Sequence, residues 1–314
     1  MRFMKIAVVM LGILGVEAAQ AAPFDLVGWL NNAKGGEVLQ LPPGDYGTVN
    51  VPEKSYSKPV RVVATGSTFG RIGIGYVKNL TWSGGTVTGY GREQPGIDIR
   101  YSTSITIERM TVTNARVGIS MQRSQDVALL YNTLQGLHID GVNIAESQRV
   151  LVQGNVCRNF TPILAVYDGN GKLVRDGDHP DCIQAWSRKT TAPTADITVR
   201  SNWINGQMQG VFFGDQIVNG VGDGGFDRIK IVDNRVRVTF PNGVRIENGR
   251  ASVVIGNKVD TVPGSMLPMR RDQPVTATVV KINGTGTWCG NSASAGAWKP
   301  DGVQPCTAEE LARK

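Results

Sequence analysis

Val127-Ala128-Leu129-Leu130-Tyr131-Asn132-Thr133-Leu134, then Gly141-Val142-Asn143-Ile144, then Val150-Leu151-Val152-Gln153-Gly154-Asn155-Val156-Cys157: this stretch decides the fold. It contains one turn of a repeat and the start of the next. A short alternating apolar segment runs into an asparagine, an apolar residue follows two positions on, and a glycine then leads a second short strand. The asparagine recurs as Asn132, Asn155, Asn202, Asn234 and Asn257, followed in turn by Leu134, Cys157, Ile204, Val236 and Val259, with Met110 and Gly85 in the earlier repeats. The glycine-led strand recurs as Gly96-Ile97-Asp98-Ile99-Arg100, Gly118-Ile119-Ser120-Met121-Gln122, Cys182-Ile183-Gln184-Ala185-Trp186, Gly210-Val211-Phe212-Phe213 and Gly243-Val244-Arg245-Ile246-Glu247. The two columns interleave with a period of about 23 residues, the signature of a parallel β-helix solenoid.

The physical reason is burial. A short strand with one apolar face cannot stand alone, whereas stacked coils bury a continuous ladder, here Ile97, Ile119, Val142, Ile183, Val211 and Val244. Asparagines at the bends can link amide to amide up the stack and satisfy turn backbone groups. The expected fold is all-β, a single-stranded right-handed parallel β-helix with a short N-terminal capping helix. A leucine-rich horseshoe is excluded by the missing leucine pattern.

The ends fit this plan. Met1-Arg2-Phe3-Met4-Lys5, the apolar run Ile6 to Val16 and Ala19-Gln20-Ala21 have the three regions of a secretory signal peptide, with residues 1–21 removed and the protein secreted or periplasmic. The apolar run is too short for a stable membrane anchor. Residues 22–314 then form one domain: a cap over 22–36 with a helix from Phe24 to Ala33, coils over 37–260, and an irregular tail over 261–314. Cys289 and Cys306 flank a loop in that tail and are paired as a disulfide, whereas Cys157 and Cys182 occupy repeated columns as buried thiols or a second bridge. The chain carries a net charge of +7, which becomes +6 without the leader, and so suits a polyanionic partner. No nucleic-acid-binding motif is present, and a monomer is expected.

Only two histidines occur, both in one pattern: His138-Ile139-Asp140-Gly141 and His179-Pro180-Asp181-Cys182. Eight residues separate Asn132 from Asp140 and Asn234 from Asn242, but twenty-six separate Asn155 from Asp181. The second pattern is thus the next coil, delayed by an insertion around Thr161 to Asp178. Further insertions follow Trp186 and Asp215, near Arg188 to Pro193 and Gln216 to Gly225. On this register both imidazoles and both carboxylates stack on adjacent coils, with Asp178 beside His179 to orient it.

Alternate residues of the glycine-led strands face outward. One column reads Asp98, Ser120, Asn143, Gln184, Phe212, Arg245; the next reads Arg100, Gln122, Ala145, Trp186, Gly214, Glu247. Rings can stack on sugars while amides and guanidinium groups bind hydroxyls and carboxylates. The expected substrate-binding residues are Arg100, Gln122, Asn143, Gln184, Trp186, Gln209, Phe212, Asp215 and Glu247, and the expected catalytic residues are His138, Asp140, His179, Asp181 and Arg245.

Gly35-Gly36-Glu37-Val38-Leu39-Gln40-Leu41-Pro42-Pro43-Gly44-Asp45-Tyr46 resembles the entry into the pectin-lyase-like β-helix superfamily. His138-Ile139-Asp140-Gly141, Pro180-Asp181-Cys182-Ile183, Met208-Gln209-Gly210 and Val244-Arg245-Ile246-Glu247 resemble, in order, the Asn-Thr-Asp-Gly, Asp-Asp-Cys-Ile, Gly-His-Gly and Arg-Ile-Lys coils of polygalacturonases. Pro180, Gln209 and Glu247 depart from that pattern. The resemblance implies the fold and an acidic polysaccharide as substrate. Three chemistries stay open: β-elimination or epimerisation with histidine as base, of which two His–Asp pairs and Arg245 favour elimination; hydrolysis by two carboxylates; and a mixed His/Asp metal site, for which Ca²⁺ is a candidate. A non-catalytic glycan-binding or envelope protein is the remaining alternative.

Overall fold

The computed structural model describes residues 24–187, 193–215, 217–218, 221–222, 224–262, 279–294, 297–298 and 303–309. The expected leader and most of the insertion after Trp186 lie outside the described residues. What is described is a parallel β-helix. The helix Leu26–Asn32 opens it, with Asp25 accepting a hydrogen bond from the Gly28 amide at 2.8 Å and Leu26 and Leu30 buried against the first coils.

Each coil contributes strands to successive faces of the solenoid. On the face of interest, Ile97–Arg100, Ile119–Gln122, Val142–Ala145, Asp181–Trp186, Gln209–Gly214 and the start of Asn242–Ile255 pair in parallel. Register puts Asp98, Ser120, Asn143, Gln184, Phe212 and Arg245 side by side, as their spacing predicts. Their neighbours Ile97, Ile119, Val142, Ile183, Val211 and Val244 are buried in one core.

The asparagine column is a hydrogen-bonded stack. The side-chain amides of Asn132, Asn155, Asn202, Asn234 and Asn257 each donate to the next asparagine's Oδ1 at 2.9–3.1 Å, ending on Asn291. The same oxygens accept the backbone amide of the preceding asparagine, so the turns are satisfied without water. Asn291 belongs to the region expected to be irregular. There the strand Val279–Cys289 instead pairs with Asn242–Ile255, and Ser292–Ala293 with Lys258–Thr261, so the stacking runs past residue 260.

Glycine leads the groove strands because coils approach closely at that point. A Cβ on Gly141 would sit 2.4 Å from the Cys182 carbonyl oxygen, and one on Gly118 2.6 Å from that of Gly141. Cys182, standing where other coils have glycine, turns its sulfur inward to bond Cys157, and Cys289 bonds Cys306.

Candidate functional site

The residue just before each glycine position faces the next coil at the head of the groove strand. Along the stack it reads Val117, Asp140, Asp181, Gln209 and Asn242. An apolar position thus becomes an acid, a second acid and two amides. All four polar groups are buried, and the two acids are wired together. The Asp181 amide donates to Asp140 Oδ1 at 3.1 Å, and the Asn143 amide donates both to Asp140 Oδ2 at 3.0 Å and to Gln184 Oε1 at 2.9 Å. Gln184 Nε2 closes the ring on Asp181 Oδ2 at 2.8 Å. The other oxygen, Asp181 Oδ1, is buried with no partner.

These surroundings disfavour charge. Burial pushes the Asp140 carboxyl up to about 6, against the downward pull of the Asn143 amide, the Asp181 amide and the Arg116 guanidinium. Asp181 rises well above the ordinary carboxylate range, by burial first and the neighbouring Asp140 second, with Gln184 opposing. The pair therefore holds protons at a pH where exposed carboxylates have lost them.

Asp140 and the two amides border an open cleft of about 460 Å³, with Arg100, Arg116 and Trp186 on its walls. The Arg116 side chain has no hydrogen-bond or ion-pair partner among the described residues. Its proximity to Asp140 lowers the carboxyl's affinity for a proton. Arg116 was missed in the sequence because it precedes its strand by three residues, outside the two columns compared.

The remaining expected residues divide. Trp186 meets Phe212 edge to face, with centroids 5.7 Å apart, and the Arg245 guanidinium lies 5.6 Å from the Phe212 centroid. Arg245 is also ion-paired with Glu247 and donates to Asn242 Oδ1 at 3.4 Å. It therefore braces the aromatic shelf and lies outside the cleft that Asp140 borders. Gln209 is buried and accepts from Asn242, and Gln122 reaches Glu146 at 3.4 Å. Asp215 accepts from Ser187 and Asn248, both at 2.9 Å, and its backbone amide binds Glu247 at 3.2 Å. These are ties between coils.

The histidines do not join the carboxylates. His138 lies 3.1 Å from Thr161 Oγ1 through Nδ1 and 3.4 Å from Asn114 Oδ1 through Nε2. His179 Nε2 lies 3.6 Å from Asp176 Oδ1 on the exposed insertion. Neither imidazole is hydrogen-bonded to Asp140 or Asp181, which corrects the expectation that each pattern forms one His–Asp unit. Nor does Asp178 orient His179. Its carboxylate pairs with Arg92 and accepts the Ile163 amide at 2.5 Å, pinning the two ends of the insertion together. Register with the next coil resumes only at Pro180, whose carbonyl accepts the Gln209 amide at 2.7 Å. Among the described residues no group of three or more His, Cys, Asp or Glu side chains is placed to hold a metal ion.

The family model of NosD, a periplasmic copper-binding protein, matches residues 61–176. No curated protein sequence matches the chain. Among solved structures, pectate lyase Pel9A shares 14% identity at a TM-score of 0.45, covering 91% of this chain and 77% of its own. PfbA, a surface adhesin of Streptococcus pneumoniae, shares 10% at 0.39, covering 83% and 75%. An alginate lyase from Paenibacillus sp. shares 12% at 0.35, covering 83% and 97%.

Proposed function

We propose that the protein is an exported enzyme that cleaves a glycosidic bond in an acidic polysaccharide, with Asp140 as general acid. The observation that carries this reading is the juxtaposition in one open cleft of a buried carboxyl held near 6 and two guanidinium groups, Arg100 and Arg116. A carboxylic acid kept protonated by burial is the group needed to protonate a departing sugar oxygen, while a solvent water bonds the anomeric carbon and the proton it sheds restores the acid. Arg100 and Arg116 supply forks for uronate carboxylates, Asn143 and Gln184 reach sugar hydroxyls, and Trp186 offers a ring face. Elimination would instead need a base at the proton beside the carboxylate, and neither histidine stands with the cleft carboxyl. Two disulfides and the family model's periplasmic protein support export.

One observation favours a second reading, a glycan-binding protein without catalysis: Asp181 is fully buried and the Asp140–Asn143–Gln184–Asp181 ring is closed on itself. Incubation with a panel of uronate polysaccharides, following both reducing ends and the absorbance of unsaturated ends, separates the readings. New reducing ends without absorbance, lost in Asp140→Asn, is the expected result. Unsaturated ends would establish elimination. Binding with neither signal would establish the second reading.

A further inference from the structure

The cleft at Asp140 does not stop at Arg100. The same arginine lines a second open cleft of about 240 Å³ on the N-terminal side, bordered by Asn50, Glu53, Arg71, Gly73, Gly75 and Asp98. Arg100 therefore borders both, and a ligand that passed its side chain would follow one furrow along the stacking axis.

Two features distinguish this end. The first is charge. Asp98 is buried, and Arg71 and Arg100 share its single carboxylate at 2.9 and 3.0 Å. One anion aims two guanidinium groups and neutralises one, and each guanidinium keeps further donors for a ligand. Arg71 Nε is buried with no hydrogen-bond partner among the described residues. Glu53 is the opposing charge, and it is exposed at the rim. The second feature is the floor, which is open at Gly75 but occupied at Gly73, where a Cβ would lie 2.6 Å from Asn50 Oδ1. Gly73 and Gly75 pair with Asp98 and Arg100, so they stand in the two outward columns that carry side chains in most later coils. A Cβ on Gly75 would meet nothing within 4 Å.

The Gly73 coil lies three coils from the Asn143 coil, through Asp98 and Ser120. At ~4.8 Å per coil this is roughly 14 Å. A polymer of pyranose rings advances by a similar length per residue, so a chain along the furrow places one sugar per coil.

We propose that Arg71, aimed by Asp98, forms a second subsite that holds a carboxylate about three sugars from the ring at Asp140, with Arg100 between the two subsites, so that the ligand is an acidic polymer of four or more residues lying along the solenoid axis. This rests on the reading of the Asp140 cleft as a site for acidic glycan, and it adds the length and charge pattern of the ligand.

The test is calorimetric binding of galacturonate dimer and hexamer in the Asp140→Asn background, so that no bond is cut. The hexamer is expected to bind at least tenfold more tightly than the dimer. Gly75→Glu sets bulk and negative charge on the open floor and is expected to bring that ratio below threefold, while Gly75→Ala, checked by the same thermal midpoint, keeps it. Arg71→Gln is expected to lower the ratio in the same direction, which supplies a second route should Gly75→Glu fold poorly. Equal affinity for dimer and hexamer, or a ratio that survives both Gly75→Glu and Arg71→Gln, removes the subsite and leaves the Asp140 reading standing. No binding of either length removes both.

Discussion

Replacing Asp140 by asparagine should flatten the dependence of stability on pH. Burial raises this carboxyl from the usual 3.8 to about 6, so the native state binds its proton more tightly than the unfolded chain does. The sign follows: the folded protein has its full stability from this group below pH 3.8 and loses it as pH rises through 6. At ~1.4 kcal/mol per decade of proton affinity the full loss is about 3 kcal/mol, of which roughly 2 kcal/mol falls between pH 4.5 and pH 8. Asparagine cannot ionise, so this share of the slope disappears. Asp181 adds to the effect in the same direction, because removing the Asp140 charge removes one of the two causes that raise it.

A constant penalty accompanies the change. If the new amide oxygen keeps the Asp181 amide, its NH₂ faces the Asn143 donor and must be accommodated, at a cost of about 1–3 kcal/mol. That penalty is the same at every pH, so the slope isolates the ionisation. Urea denaturation of both proteins at several pH values between 4.5 and 8 measures it. The wild type should lose about 2 kcal/mol more than the variant over that interval. Parallel stability curves would refute the claim that a buried, proton-binding carboxyl stands at this position.

Other substitutions probe the rest of the site and the stack. Arg116→Gln removes a charge that pulls the Asp140 proton affinity down, so the alkaline limb of a pH–rate profile should move to higher pH while affinity for uronate oligomers falls at least fivefold. His138→Ala and His179→Ala should each retain activity within about threefold, since neither imidazole bonds the carboxyl pair; a loss of a hundredfold in the rate of either would restore the histidine-base chemistry. Asn155→Ala strands the Asn132 backbone amide and one hydrogen of its side-chain amide inside the solenoid, and should cost about 2–4 kcal/mol by urea denaturation. Reducing the Cys157–Cys182 bond, or replacing both cysteines by alanine, should lower stability by about 2–5 kcal/mol.

The repeat is legible because each coil must meet its neighbour at the same points. An asparagine must fill the bend to satisfy two donors of the coil before it, and a glycine must sit where the next coil's carbonyl comes within 2.4 Å of a would-be Cβ at Gly141. Such constraints repeat, so they print a period. Counting from the asparagines is also enough to bring Asp140 and Asp181 to adjacent coils. The histidines fail for a reason no period carries. The insertion before His179 is fastened by Asp178 to Arg92, a contact across 86 residues, and the chain rejoins the register only after the histidine has passed. Arg116 fails differently, since a comparison begun at the glycine never reaches it.

A net charge of +7 says nothing of where cations are free to act, and the groove shows how unevenly they are. On the C-terminal side, Arg245 is held by Glu247, Asn242 and the Phe212 face, so its charge braces the shelf. On the N-terminal side, Arg116 has no hydrogen-bond or ion-pair partner among the described residues, and Arg71 and Arg100 divide one aspartate. A polyanion seated at Asp140 therefore gains more by running toward the first coils than toward the last. That asymmetry also bears on the acid. Each carboxylate drawn against Arg116 cancels part of the field that weakens Asp140's hold on its proton, so a bound uronate should push the carboxyl further toward its protonated form. Ligand charge and proton donation would then be coupled through one guanidinium, and a neutral glycan of the same shape would bind without arming the acid.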